Sequence, residues 1–138
     1  MRTLQVSFYL ERQGREWLKQ LENMCREFQL TWYGSPEIDI DIDGKETMET
    51  GGFSFRILHT PGHSEGSVCF LFDHTLFSGD TLFRHSVGRC DLPGGNEKAL
   101  RRSVKEKLFP IPGGTKVYPG HMETTTIDEE KRNNPFFR

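Results

Sequence analysis

Two short apolar runs, residues 67–72 (SVCFLF) and 76–79 (LFSG), are separated only by Asp73-His74-Thr75, with Pro61-Gly62-His63 before the first and Asp80 after the second. Runs of that length split by a polar turn predict a β-hairpin. Antiparallel pairing brings the chain back to where it started, so His63 and Asp80 are expected at the same edge of one sheet. A second short stretch, Lys116-Val117-Tyr118, runs into Pro119-Gly120-His121 and delivers another imidazole from a strand end by the same device. Two imidazoles and one carboxylate at strand ends form a constellation able to hold a metal. The unbroken apolarity of Val68-Cys69-Phe70-Leu71-Phe72 predicts a strand buried on both faces, and hence a layered α/β sandwich with helices as cover.

The remaining chain supplies such layers. Leu4, Val6, Phe8 and Leu10 alternate with polar residues as a half-buried strand. Trp17, Leu18, Leu21, Met24, Cys25 and Phe28 fall on one face of a helix predicted over residues 13–29. Ile38, Ile40 and Ile42 alternate with Asp39, Asp41 and Asp43 as a strand with an acidic face, closed by an Asp43-Gly44 turn. The DxDxDG spacing there imitates the start of a calcium loop, but position twelve is Thr50 and the flanks read as strand, which favours a solvated face. Short strands follow near residues 47–49 and at Phe53, Phe55 and Ile57. Asn96 caps a predicted helix carrying Leu100, Val104 and Leu108, stopped by Pro110 and Pro112. Thr126-Ile127-Asp128-Glu129 reads as a capping box for a last short helix ending at Asn134-Pro135.

Size and charge narrow the function classes. A chain of 138 residues is one domain's worth, and its net charge of −2, without a polybasic run, gives no footprint for nucleic acid or an anionic membrane. There is no apolar segment of transmembrane length and no signal peptide, which predicts a cytoplasmic protein. Cys25, Cys69 and Cys90 lack the spacing of a disulfide framework or a zinc-thiolate site. Cys25 and Cys69 fall on apolar patterns as core residues. Cys90 sits beside Arg89, whose charge could stabilise a thiolate, although a small loop residue without a role is the simpler reading.

TPGHSEGS, SGDTLF, VGRCDLPGG and VYPGH, in this order and at these separations, resemble the second half of a metallo-β-lactamase-fold hydrolase of the glyoxalase II-like branch. The similarity runs over roughly residues 6–137. It implies a partial αββα sandwich, with a mixed or antiparallel sheet and covering helices, as a single partial domain over residues 1–138. It also implies metal ligation by His63 to one metal and His121 to another, with Asp80 bridging the two as the catalytic carboxylate. Two zinc ions, or iron in some relatives, and a small thioester-type substrate follow from the same resemblance. The family's HxHxDH segment is not found; the first histidine here is His59. Split between two metals, the three residues give each at most two protein donors, fewer than a catalytic zinc ordinarily keeps.

Three readings follow. The first is a thioester or related ester hydrolase, impaired in this chain; the second is an iron-dependent oxidoreductase resembling persulfide dioxygenases; the third is a non-catalytic remnant or interaction module. Arg89 matches a basic position that in some relatives contacts a substrate carboxylate, and an Arg89-Asp91 structural pair is the alternative. Arg84, His85 and Ser86 lie just beyond the ligand loop and could line a pocket, although exposed loop residues are the simpler reading, and His59 and His74 read as poor substitutes for a missing ligand. Met122 stands after His121 where relatives commonly have glycine, which puts the local backbone in question. Apolar sheet surface without its usual cover predicts a homo-oligomer.

Overall fold

The computed structural model describes residues 9–12 and 14–138. The chain divides into two compact units, Met1–Gly44 and Lys45–Arg138, at the predicted Asp43-Gly44 turn. In the first, β1 (Tyr9–Leu10) pairs parallel with β2 (Ile40–Asp41) across α1 (Gly14–Glu27). Leu4, Val6 and Phe8 of the predicted first strand, and Gln13 at the predicted helix start, lie outside the described residues. The predicted strand around Ile38 and Ile42 shrinks to two residues. Its acidic stretch turns inward on itself: Asp41 Oδ1 accepts from the Asp43 amide at 2.9 Å, and Arg15 and Arg12 pair with Asp41 and Asp43. The Asp43 amide first, then Arg15, holds the Asp41 carboxyl below its usual range against the opposing effect of desolvation. Helix α1 ends as Gln29 turns left-handed and Leu30 N–H reaches Cys25 O at 2.7 Å, closing the last turn. Despite its apolar stripe, α1 contains no buried residue.

The second unit is built on a six-stranded sheet. Strands β3 (Thr47–Thr50), β4 (Phe53–His59), β5 (Val68–Phe72) and β6 (Thr75–Gly79) pair antiparallel in sequence. Strand β6 then pairs parallel with β9 (Lys116–Pro119), which pairs antiparallel with β10 (Thr125–Thr126), so the sheet is mixed as expected. The predicted hairpin forms with a tighter turn. Phe72 faces Thr75, which leaves Asp73 and His74 as the loop, and Asp73 takes a positive φ of 42° that an aspartate tolerates better than most side chains. Between β6 and β9 lie a small hairpin, β7 (Leu82–Phe83) and β8 (Ser86–Val87), and helix α2 (Glu97–Ser103).

Asn96 caps α2 through its side chain, accepting from the Ala99 amide. The helix continues as a wider π turn over Val104–Leu108, where Phe109 N–H reaches back to Val104 O. The Leu100, Val104 and Leu108 stripe survives this change of pitch, with all three fully buried. Val104 and Leu108 cluster with Leu58, Cys69, Leu71, Leu76 and Val117 of the sheet, and this is the core. Each leucine-sized side chain taken out of water there is worth about 2 kcal/mol. Helix α3 (Ile127–Asn133) closes the chain with Thr126 accepting from the Glu129 amide, so one arm of the predicted capping box is made. Its Glu129 carboxylate turns instead to His85 and Asn133.

One expectation is corrected. Strand β5 is buried on one face only: Cys69 and Leu71 are enclosed, whereas Val68, Phe70 and Phe72 are half-buried. That second face is aromatic. Phe55 stacks on Phe72 at 4.6 Å between ring centroids, Phe72 meets Phe77 at 5.7 Å, and Phe77 stacks on Tyr118 at 5.6 Å. Phe77 and Tyr118 remain exposed. An apolar strand sequence therefore reports two greasy faces without reporting that both are covered.

Candidate metal centre

The hairpin does what its sequence predicts. His63 leaves the turn before β5, Asp80 directly follows β6, and the parallel strand β9 brings His121 alongside. His63 Nε2 lies 3.6 Å from Asp80 Oδ2, and His121 Nε2 lies 3.7 Å from Asp80 Oδ1. Each carboxylate oxygen thus faces its own imidazole. These separations exceed a good hydrogen bond. Two donors each about 2.1 Å from a shared zinc in tetrahedral geometry lie roughly 3.4 Å apart, so the spacing suits a metal between each pair better than a direct contact. Among the described residues, no three His, Cys, Asp or Glu side chains close around a single point.

The surroundings shape both donors. Arg89 O lies 2.8 Å from His63 Nδ1. A carbonyl has no proton to give, so Nδ1–H donates, and in the neutral ring the lone pair then lies on Nε2, the nitrogen nearer Asp80. Glycines allow the backbones to close in. A β-carbon on Gly88 would sit 1.8 Å from Asp80 O, and one on Gly120 would sit 2.4 Å from Asp80 Oδ1. His121 is held far less: its ring meets Phe83 edge-on at 5.9 Å, and its side chain is 70% exposed. Met122 occupies the left-handed region at φ 69°, so the doubt about a non-glycine residue there is met by a strained backbone.

Arg89 reaches the site loop, but its guanidinium grips Asp91 through two hydrogen bonds of 2.8 and 2.7 Å. That grip holds the Asp91 carboxyl down to about 2 and raises the Arg89 pKa in turn. The structural pair is the arrangement seen. Cys90 is no activated nucleophile: burial first, then Glu97, pushes its thiol up, and its Sγ–H points to Gly88 O. Arg84 and His85 are exposed residues of the β7–β8 turn, as expected, while Ser86 is half-buried at the start of β8. Arg84 pairs with Glu123, and His85 Nε2 lies 2.7 Å from Glu129. His59 sits in a groove of about 500 Å³, lined also by Arg56, Leu71, Lys107 and Ile111, away from the proposed donors. Sequence reasoning missed the Arg89 carbonyl, Gly88 and the buried Glu130, none of which has a side-chain pattern that announces it.

Comparison with known proteins gives this arrangement a family. A sequence profile of the metallo-beta-lactamase superfamily matches residues 5–121. The chain is 46% identical over 95 residues to a probable metallo-hydrolase of Streptococcus pyogenes, covering 67% of this chain and 41% of that protein. It is 38% identical over 113 residues to the hydroxyacylglutathione hydrolase GloC of Haemophilus influenzae, covering 75% and 53%. The crystal structure of TTHA1623 in a di-iron-bound form superposes with a TM-score of 0.79 at 39% identity, over 95% of this chain and 65% of that one. The chain spans about half the length of the curated relatives it matches. Among the described residues no helix is long and apolar enough to cross a membrane. By its sequence profile, its relatives and its fold, the chain belongs to the metallo-beta-lactamase superfamily.

Proposed function

We propose that His63, Asp80 and His121 are one side of a dinuclear metal site that hydrolyses a thioester or a related ester. The observation that carries this reading is the Asp80 carboxylate, whose two oxygens face two different imidazoles at 3.6 and 3.7 Å. A bound divalent metal would polarise the substrate carbonyl and supply a water of lowered pKa. The chain's own part is to set the donors: His63 through the Arg89 carbonyl, Asp80 between Gly88 and Gly120, and His121 from the end of β9. Each metal would take one imidazole nitrogen and one carboxylate oxygen from these residues, so further donors are required for tight binding.

The likeness to a hydroxyacylglutathione hydrolase supports a thioester substrate, and Arg89 would engage a substrate carboxylate only after releasing Asp91. The di-iron form of TTHA1623 supports iron as the alternative to zinc. We further propose self-association through the exposed Phe77 and Tyr118 face; a clean monomer by light scattering at high concentration removes that idea. The deciding experiment compares thioester hydrolysis, with zinc or iron added, by this chain and by a version carrying an HxHxDH segment upstream. The extended protein is expected to turn over the thioester and to lose the activity on His63→Ala, while the shorter chain is nearly inactive. Equal rates from both overturn the donor count, and no activity from the extended protein overturns the hydrolase reading.

A further inference from the structure

A carbonyl can select a histidine tautomer only if the carbonyl itself is held in place. Arg89's side chain does not hold it, because the guanidinium turns outward to Asp91. The backbone leading into Arg89 passes through Gly88, packed on the Asp80 carbonyl, and comes from the β7–β8 hairpin. The turn of that hairpin is unfavourable on its own. His85 sits at φ 55°, a conformation that a β-carbon disfavours, and a contact from outside the hairpin reaches its amide.

That contact is a buried carboxylate on α3. Glu130 is fully buried and its oxygens accept from three donors: Thr125 Oγ1–H at 2.6 Å, the His85 amide at 2.9 Å and Asn134 Nδ2–H at 2.7 Å. The same Asn134 amide donates to Ser86 O at 3.0 Å. Glu130 and Asn134 therefore grasp the hairpin by both its N–H and its C=O, on consecutive residues. A carboxylate is a costly way to fill a core, since it has to be fully hydrogen-bonded to be there at all. An apolar side chain would pack as well but could not hold the His85 amide.

We infer that Glu130 is a positioning residue for His63: through His85, Ser86 and Gly88 it fixes the Arg89 carbonyl, which keeps the His63 proton on Nδ1 and the Nε2 lone pair toward the metal side. This rests on the reading of His63 as a metal ligand, but its test needs neither metal nor substrate, so it can fail independently of the hydrolase reading. Long-range proton–nitrogen NMR of the metal-free chain near pH 9, well above the ordinary imidazole pKa of about 6.5, reads the tautomer directly. His63 is expected wholly in the Nδ1–H form. Glu130→Gln keeps the volume but replaces one acceptor oxygen by a donor, and is expected to shift His63 to a mixture with the Nε2–H form while His74 stays unchanged. Ile127→Val, a loss of packing at a fully buried position of the same helix, is expected to lower stability without moving the His63 signal. Should Glu130→Gln fail to fold, Thr125→Val removes one of the carboxylate's three donors with its shape kept, and is read in the same way. An Nε2–H tautomer in the unaltered protein, or an unshifted His63 in the folded variant, overturns the proposal.

Discussion

Pro61-Gly62-His63 and Pro119-Gly120-His121 offer the same tripeptide to the same carboxylate, but the His63 side chain is 27% exposed and that of His121 70%. The first turn is fastened to helix α2. Ser103 Oγ–H donates to Pro61 O, the Asn96 amide donates to Gly62 O, and a β-carbon on Gly62 would fall 2.4 Å from Leu100 Cα. The second turn is fastened to the neighbouring strand, where the Gly120 amide donates to Gly79 O at 2.8 Å. Strand ends deliver imidazoles cheaply, but an imidazole becomes a fixed donor only when a second layer packs on its turn and a further group claims its other nitrogen.

Alanine in place of glycine separates the two turns. Gly62→Ala collides with helix backbone, which cannot give way, at a φ of 152°. It should cost about 3 kcal/mol, a drop in Tm of roughly 10 °C or more. Gly120→Ala meets first the Asp80 carboxylate, the mobile end of a side chain, with the Gly79 backbone no nearer than 3.3 Å, and should cost less than Gly62→Ala, about 1 kcal/mol, while displacing the donor. Urea unfolding of both variants checks this, and equal losses would erase the contrast.

Metal affinity is the next lever. Because His63 is pre-oriented and His121 is not, His63→Ala should weaken zinc binding by roughly tenfold more than His121→Ala, read by competition with a chelating dye. A smaller effect tests the strain beside His121. Met122 is 65% exposed, so Met122→Gly gives up little packing while relieving the left-handed backbone, and should stabilise the fold by about 1 kcal/mol. The smallest effect separates Arg89's side chain from its carbonyl. Arg89→Ala should let the Asp91 pKa rise from about 2 toward the ordinary 3.8 and leave the His63 tautomer alone. The Asp91 pKa is lowered by folding, so the pair's contribution to stability is present above about pH 4 and is lost as the pH falls toward 2. Both groups are exposed, which keeps that contribution small. A carboxyl titration by NMR follows it.

How far the sequence could be read depended on whether position or company decided the matter. The hairpin, the two Pro-Gly-His turns and the Asn96 and Thr126 caps are local rules, and the chain obeys them. The β7–β8 hairpin is two residues paired with two, too short for any period to show. Glu130 lies in the run IDEEKRN, which reads as a solvated helix, yet it is buried because Thr125, Asn134 and the hairpin backbone surround it. Arg89 drew notice for its charge, whereas the structure uses its carbonyl, a group every residue has and no sequence pattern can mark. The aromatic face of β5 and β6 fails for a related reason, since periodicity identifies apolar faces but not what lies on them.

The parallel pairing of β6 with β9 sets an order of assembly. His63 and Asp80 are separated by a hairpin, a closure among the quickest a chain can make, and their half of the site can exist as soon as β6 has been synthesised. His121 joins only after the chain has laid down α2 and crossed over it to bring β9 beside β6. Such non-local closure is slow, because its loop entropy is spent before any contact repays it. The donor that the native structure holds least is therefore also the last to arrive, and a nascent or partly unfolded chain would present an imidazole–carboxylate pair long before it could present the second imidazole.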